Sequence, residues 1–342
     1  MTKILKLLDP YIGLMLATVA LAAVLPAHGI GATVAGATAD AAIVFLFFLY
    51  GTRLSPRAAL AGLTQWKLHI AVLLCTFALF PALGVGLSYL APARMAHPLV
   101  VGMVFLCLMP STVQSSIAFT SIARGNVAAA LCAASASNIL GVFLSPLLVG
   151  WLLQTSGAAL SFDVFRDITL QLLAPFIAGQ LLRPWIGAWI QGHKRVLGYA
   201  DRGSILLIIY VAFSKGMVDN IWGEVSLSDL LILFAFLVVL LAVVLVLTGL
   251  IARRILSLPV QDEIVLQFCG SKKSLASGLP MATVLFPGPQ LGLIVLPLML
   301  FHQIQLIVCA ILARHYADRE DPAVNAIHAT AGSEAVGTHT PA

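Results

Sequence analysis

Long apolar runs alternate with short polar or Gly/Pro breaks along nearly the whole chain. A membrane-crossing helix needs about 20 mostly apolar residues. On that measure the pattern predicts ten spans, at residues 11–27, 37–52, 68–90, 97–122, 127–153, 168–191, 203–219, 227–252, 260–287 and 290–314. Between the second and third, Leu54 to Trp66 reads as a short amphipathic segment at the interface. From residue 318 to 342 the chain turns polar and small, which predicts a disordered cytoplasmic tail. Lys3 and Lys6 precede the first apolar run, as in a signal peptide; with nine more spans following, the expectation is a retained first helix.

Two spans are interrupted. Span four breaks at Pro110-Ser111-Thr112 and continues polar through Gln114-Ser115-Ser116. Span nine breaks at Gly270-Ser271-Lys272-Lys273-Ser274. Each is the fourth of five spans, and the breaks lie about 160 residues apart. Five is odd, so a second set of five enters the membrane from the opposite side. The expected fold is all-α and polytopic: ten helices in two inverted repeats, residues 1–155 and 156–317. A broken helix leaves backbone groups unpaired, and lipid tolerates that only where protein or a water-filled cavity surrounds them. The two breaks are therefore expected to face each other in the interior, with half-helix N-termini that suit an anion.

Basic residues orient the chain. With a cytoplasmic N-terminus, only Arg94 and Arg166 fall in outer segments. Lys3, Lys6, Arg53, Arg57, Lys67, Arg124, Arg183, Lys194, Arg195, Arg202, Arg253, Arg254, Arg314 and Arg319 fall inside. Both termini are then cytoplasmic. Composition agrees: 60% of the 342 residues are hydrophobic and 10% charged. A soluble domain carries roughly 25% charge, so a soluble enzyme, a disordered protein and a nucleic-acid-binding domain are excluded. The net charge of +5 then reflects basic loops on one side of a membrane. Cys75, Cys107, Cys132, Cys269 and Cys309 all lie in apolar runs without a CxxC pair, and read as small buried residues. No ATP-binding loop of the G-x-x-x-x-G-K-[ST] type is present, nor H-E-x-x-H or G-x-S-x-G, so neither an ATP-driven pump nor a membrane hydrolase is expected.

Lys272 and Lys273 are the sharpest candidates, because a cation inside a membrane is expensive and usually functional. A lysine here could take part in proton coupling or bind an anionic substrate. Gln114, Ser115 and Ser116 offer neutral oxygens and amides to a caged cation or polar solute. Ser135 and Asn138 share a face of span five, beside small residues that also suit close helix packing. Ser111, Thr112, Gln267, Ser271 and Ser274 complete the candidate substrate and ion site. His302, Gln303 and Gln305 interrupt span ten and are further candidate contacts. Asp262 and Glu263 open span nine and are expected near Arg253 and Arg254, while Asp40 is expected to cap span two.

Three stretches resemble a known family. They are Pro110-Ser111-Thr112-Val113-Gln114-Ser115-Ser116 with Ala123-Arg124-Gly125-Asn126, then Ser145-Pro146-Leu147-Leu148, and Phe268 to Pro280. The first two resemble the bile acid:sodium symporter family. The third is similar to its branch containing solute carrier family ten, member seven, and bacterial relatives. The resemblance implies a panel domain (helices 1, 2, 6 and 7), a core domain in which broken helices four and nine cross, and alternating access between them. It implies a sodium site at Ser115, Ser116 and Gln267. However, Gln267 stands where bile-acid-type members carry a glutamate, Ser271 where they carry glutamine, and Lys272 where they carry asparagine. The acid is lost and two cations are added, which implies that a lysine ammonium could occupy the place where relatives bind sodium.

The expected function is a secondary active transporter of a small organic solute of the anionic class, in a bacterial inner membrane, with sodium or protons as coupling ion and no other cofactor. A cation:proton antiporter is the alternative within transport, though it would want a buried acid at the crossing. A non-transporting membrane regulator of ion homeostasis is the alternative outside it.

Overall fold

The computed structural model describes residues 10–53, 65–93, 95–153 and 169–319. Among them the fold is all-helical, with no strand. Its helices are α1 (Pro10–Val24), α2 (Gly29–Arg53), α3 (Trp66–Leu90), α4 (His97–Cys107), α5 (Val113–Ile122), α6 (Val127–Leu152), α7 (Ala174–Gly192), α8 (Lys194–Val218), α9 (Leu227–Leu250), α10 (Val260–Gly270), α11 (Leu275–Leu285) and α12 (Leu291–Ala317). Six segments, α2, α3, α6, α8, α9 and α12, are long and apolar enough to cross a membrane. Two shorter apolar helices lie at Gly13–Val24 and His97–Cys107.

Local chemistry sets the helix ends. The Asn126 side chain accepts from Ala129 N at 3.1 Å and starts α6. Ser226 and Asp229 form a reciprocal capping box at the start of α9. Ser274 accepts from Ser277 N at 3.2 Å and starts α11. Two helices begin earlier than the apolar pattern predicts. α2 opens at Gly29 rather than 37, where the Thr33 and Thr38 hydroxyls bond back to the carbonyls of Gly29 and Val34. Asp40 therefore sits exposed inside α2 and is not its cap. α8 opens at Lys194 rather than 203, and its charged first turns include Asp201, which pairs with Arg53 of α2.

Packing sorts the helices into two groups. α1, α2, α7 and α8 pack chiefly on one another, and α3 to α6 with α9 to α12 form the rest. α2 and α7 touch backbone to backbone: a Cβ on Gly51 would strike the Phe176 carbonyl, and one on Gly179 the Phe48 carbonyl. The interfacial segment expected at 54–66 lies outside the described residues over 54–64. So does the expected tail from residue 320, although Arg319 is ordered on the turn between α5 and α6, where it donates to Ala123 O at 2.8 Å and Arg124 O at 3.0 Å. All five cysteines are buried and free.

α6 passes close beneath the first break. A Cβ on Gly141 would lie 2.6 Å from Pro110 Cβ. Gly141→Ala should therefore lower stability by about 1–3 kcal/mol, the usual cost of overpacking a tight site. A thermal-unfolding comparison of the purified proteins checks this.

Candidate functional site

Pro110 ends α4 and leaves its last carbonyls without helical amides. α10 ends at Gly270 without a proline, with Ser271 as its C-cap. The two breaks then satisfy each other. Ser111 Oγ donates to Cys269 O at 2.6 Å and Ser116 Oγ to Phe268 O at 3.1 Å. In return Ser274 N donates to Pro110 O at 2.9 Å. Thr112 Oγ1 donates to Lys273 O at 2.9 Å. Ser271 Oγ closes its own helix by donating to Gln267 O at 2.5 Å.

Neighbouring helices complete the accounting. Ser145 Oγ donates to Leu108 O at 2.7 Å, and Ser137 Oγ accepts from Ser111 N at 3.0 Å. Asn138 spans both breaks: its Nδ2 donates to Ser111 O at 2.6 Å, and its Oδ1 accepts from Ser277 Oγ at 3.0 Å. From α12, Gln305 clamps the Lys273 peptide, accepting from its N–H at 2.8 Å and donating to its carbonyl at 2.9 Å.

Neither lysine exposes any surface (0%). They point different ways and are held differently. Lys273 Nζ donates to three carbonyls, Thr76 O at 2.8 Å, Cys107 O at 2.7 Å and Met109 O at 2.8 Å, with the Phe80 ring centroid 4.2 Å away. All three ammonium donors are thus satisfied. Among the described residues Lys272 Nζ has one oxygen contact, Ser115 Oγ at 3.4 Å, beyond the usual range of about 2.7–3.2 Å. The faces of Phe119 and Phe268 also lie close to it, with centroids at 4.4 and 5.5 Å. Charge-assisted hydrogen bonds contribute about 1.5–3 kcal/mol each, so three of them offset the several kcal/mol that burying an ion costs. Lys272 has no comparable set among the described residues.

The lysines follow α10 in sequence and precede α11, whose positive N-terminal end disfavours them. Lys273 escapes that clash by reaching the negative C-terminal end of α4, a placement that chain order alone does not show. Among the remaining candidates, Gln267 turns towards α9, donating to Leu245 O at 2.8 Å and accepting from Thr248 Oγ1 at 3.3 Å. It does not join Ser115 and Ser116 in a hydrogen-bonded group. Ser135 is buried on α6, while its neighbours Ser137 and Asn138 make the bonds to the break. Gln114 is exposed on α5. Tyr50, Thr76, Phe119 and Phe268 were not expected. Tyr50 Oη of α2 donates to Ala276 O of α11 at 3.0 Å and joins the two helix groups beside the crossing.

The Ala123-Arg124-Gly125-Asn126 motif has a separate task. Arg124 takes a left-handed turn (φ 56°), and a Cβ on Gly125 would lie 2.6 Å from Ile264 Cγ2. Asn126 Nδ2 donates to Asp262 Oδ1 at 2.9 Å. The turn thus seats the start of α10. Beside it Arg253 Nη2 pairs with Glu263 at 2.7 Å, and Tyr316 Oη donates to the same oxygen at 2.7 Å. Asp262 and Glu263 are engaged at this end, as expected, and not with the lysines.

Comparison with known proteins decides what this crossing belongs to. The family described as "SBF-like CPA transporter family" matches residues 9–318. The chain belongs to the SBF-like CPA transporter family. A Pseudomonas aeruginosa relative printed as "Uncharacterized protein PA2026" is 53% identical, over 92% of this chain and 94% of its own length. An Escherichia coli K12 relative printed as "Putative symporter YfeH" is 49% identical over the same shares. "Sodium/bile acid cotransporter 7" of Rattus norvegicus is 28% identical, over 79% of this chain and 80% of its own. This SBF-like chain is therefore a multi-pass membrane protein of a transporter family, not of an enzyme family.

Proposed function

We propose that the protein is a secondary active transporter of a small organic anion. It crosses a bacterial inner membrane ten times, as two inverted five-helix halves, and keeps both termini in the cytoplasm. α1, α2, α7 and α8 form a panel, the other helices form a core, and movement of one against the other exposes the crossing to each side in turn. The observation that carries this reading is the pair of breaks that cap each other around two buried lysines. Buried ionisable groups at the midplane of broken helices mark transport pathways.

Lys272 is the residue proposed to meet the solute. Its ammonium rests on ring faces rather than fixed oxygens, so an anion's carboxylate would add the partners it lacks. Ser115 offers it a hydroxyl, and Tyr50 ties the panel to α11. Sodium or a proton gradient would drive uptake by symport. Gln267 replaces the acid of bile-acid-type relatives and is bonded to α9, so a sodium site at Ser115, Ser116 and Gln267 would need that side chain to turn. With Asp262 and Glu263 engaged away from the lysines, symport is favoured over cation:proton antiport.

The test is uptake into proteoliposomes of bile acids and small carboxylates, with imposed sodium or proton gradients. Gradient-driven accumulation of an organic anion supports the reading. Purified protein that moves none of them under either gradient counts against it.

A further inference from the structure

Thr76 O is left without an amide by the local sequence. Residues Cys75–Leu79 of α3 form a π turn, in which Phe80 N donates to Cys75 O. In an α-helix that amide would have gone to Thr76 O. The next amide along belongs to Pro81, which has no N–H. Cys107 O is left open at the end of α4, because Ser111 N donates to Ser137 instead and Pro110 has no N–H, and Met109 O lies in the non-helical break that follows. Three orphan carbonyls from two helices thus converge on one point, at 2.7–2.8 Å from Lys273 Nζ, with the face of Phe80 closing the side. Converging backbone carbonyls with a ring face are the surroundings of a desolvated monovalent cation.

We propose that these carbonyls form a monovalent-cation site which this chain fills permanently with its own Lys273 ammonium. The tethered ammonium locks α3, α4 and the second break together, so no exchangeable cation is needed at that point. This deepens the transport reading, on which its meaning for coupling rests. It also divides the lysine pair: Lys273 is a positioning residue and Lys272 faces the solute. Removing the Lys273 side chain should uncover a site for a free cation of the same class. Ammonium and methylammonium fit best, because they reproduce N–H donors at the observed spacing, and alkali ions fit less well.

The experiment follows thermal unfolding of purified full-length wild type, Lys273→Ala and Lys273→Met. Each is titrated with methylammonium, ammonium, sodium or potassium chloride against N-methylglucamine chloride at equal ionic strength. Both variants should unfold at lower temperature than wild type. Lys273→Ala should regain stability saturably, by on the order of 5 °C at a hundredfold excess over the dissociation constant. Lys273→Met, whose side chain fills the vacated space, should not, and wild type should be indifferent. If Lys273→Ala is lost in ordinary buffer, extraction in methylammonium chloride should recover monodisperse protein. A folded Lys273→Ala that no cation stabilises overturns the proposal. So does equal rescue of Ala and Met, or failure of every cation to recover the Ala variant. None of these readouts uses a transported solute, so failure here leaves the transport reading to be judged by flux alone.

Discussion

Replacing Lys272 with methionine should leave the protein as stable as before, or more so, while reducing solute flux at least tenfold. The side chain is wholly buried with one oxygen contact, at 3.4 Å, among the described residues. Exchanging buried charges for apolar side chains of similar volume is often neutral or stabilising by about 1–4 kcal/mol. Methionine fills the space between Phe119 and Phe268 and keeps favourable sulfur–ring contacts. What it cannot do is receive a carboxylate. Thermal unfolding and proteoliposome flux measured on the same preparations separate the two effects. Full flux in a folded Lys272→Met protein would remove Lys272 from the solute site.

Asn138→Leu should have the opposite signature, a loss of stability on the order of 2–5 kcal/mol. The Asn138 amide bonds Ser111 O in one break and Ser277 Oγ beside the other. A leucine of similar size leaves the buried Ser111 carbonyl without that partner, at about 1–3 kcal/mol for a group left unsatisfied, and costs the Ser277 hydroxyl, which keeps Ser274 Oγ at 3.1 Å, about 1 kcal/mol more. Ser135→Ala serves as the comparison. Ser135 lies one turn away on the same face, while Ser137 and Asn138 make the bonds to the break, so its loss should cost within about 1 kcal/mol. Equal destabilisation by the two substitutions would mean that the loss reflects general packing of α6 rather than the link between breaks.

Much of this arrangement was legible in the chain. Polar clusters interrupt apolar runs at Pro110–Ser116 and Gly270–Ser274, and backbone satisfaction then requires the breaks to meet. The hydroxyls of Ser111, Thr112, Ser116 and Ser271 do bond carbonyls at the breaks. Side-chain direction was not legible. Uniformly apolar helices carry almost no periodic signal of facing, so nothing in sequence turned Gln267 towards α9 or left Gln114 exposed. The π turn in α3 leaves no trace in hydropathy either, although Pro81 hints that the carbonyls before it lack amides. Without that turn, Thr76 could not be foreseen as a partner for Lys273.

Access to the crossing is the most direct test of the whole account, and it needs no known solute. Lys272→Cys can be placed in a chain whose five native cysteines are replaced, and treated with a membrane-impermeant methanethiosulfonate in sealed vesicles of either orientation. Alternating access around the crossed breaks predicts that the thiol reacts from both faces of the membrane. Reaction from one face only, or from neither, would contradict it.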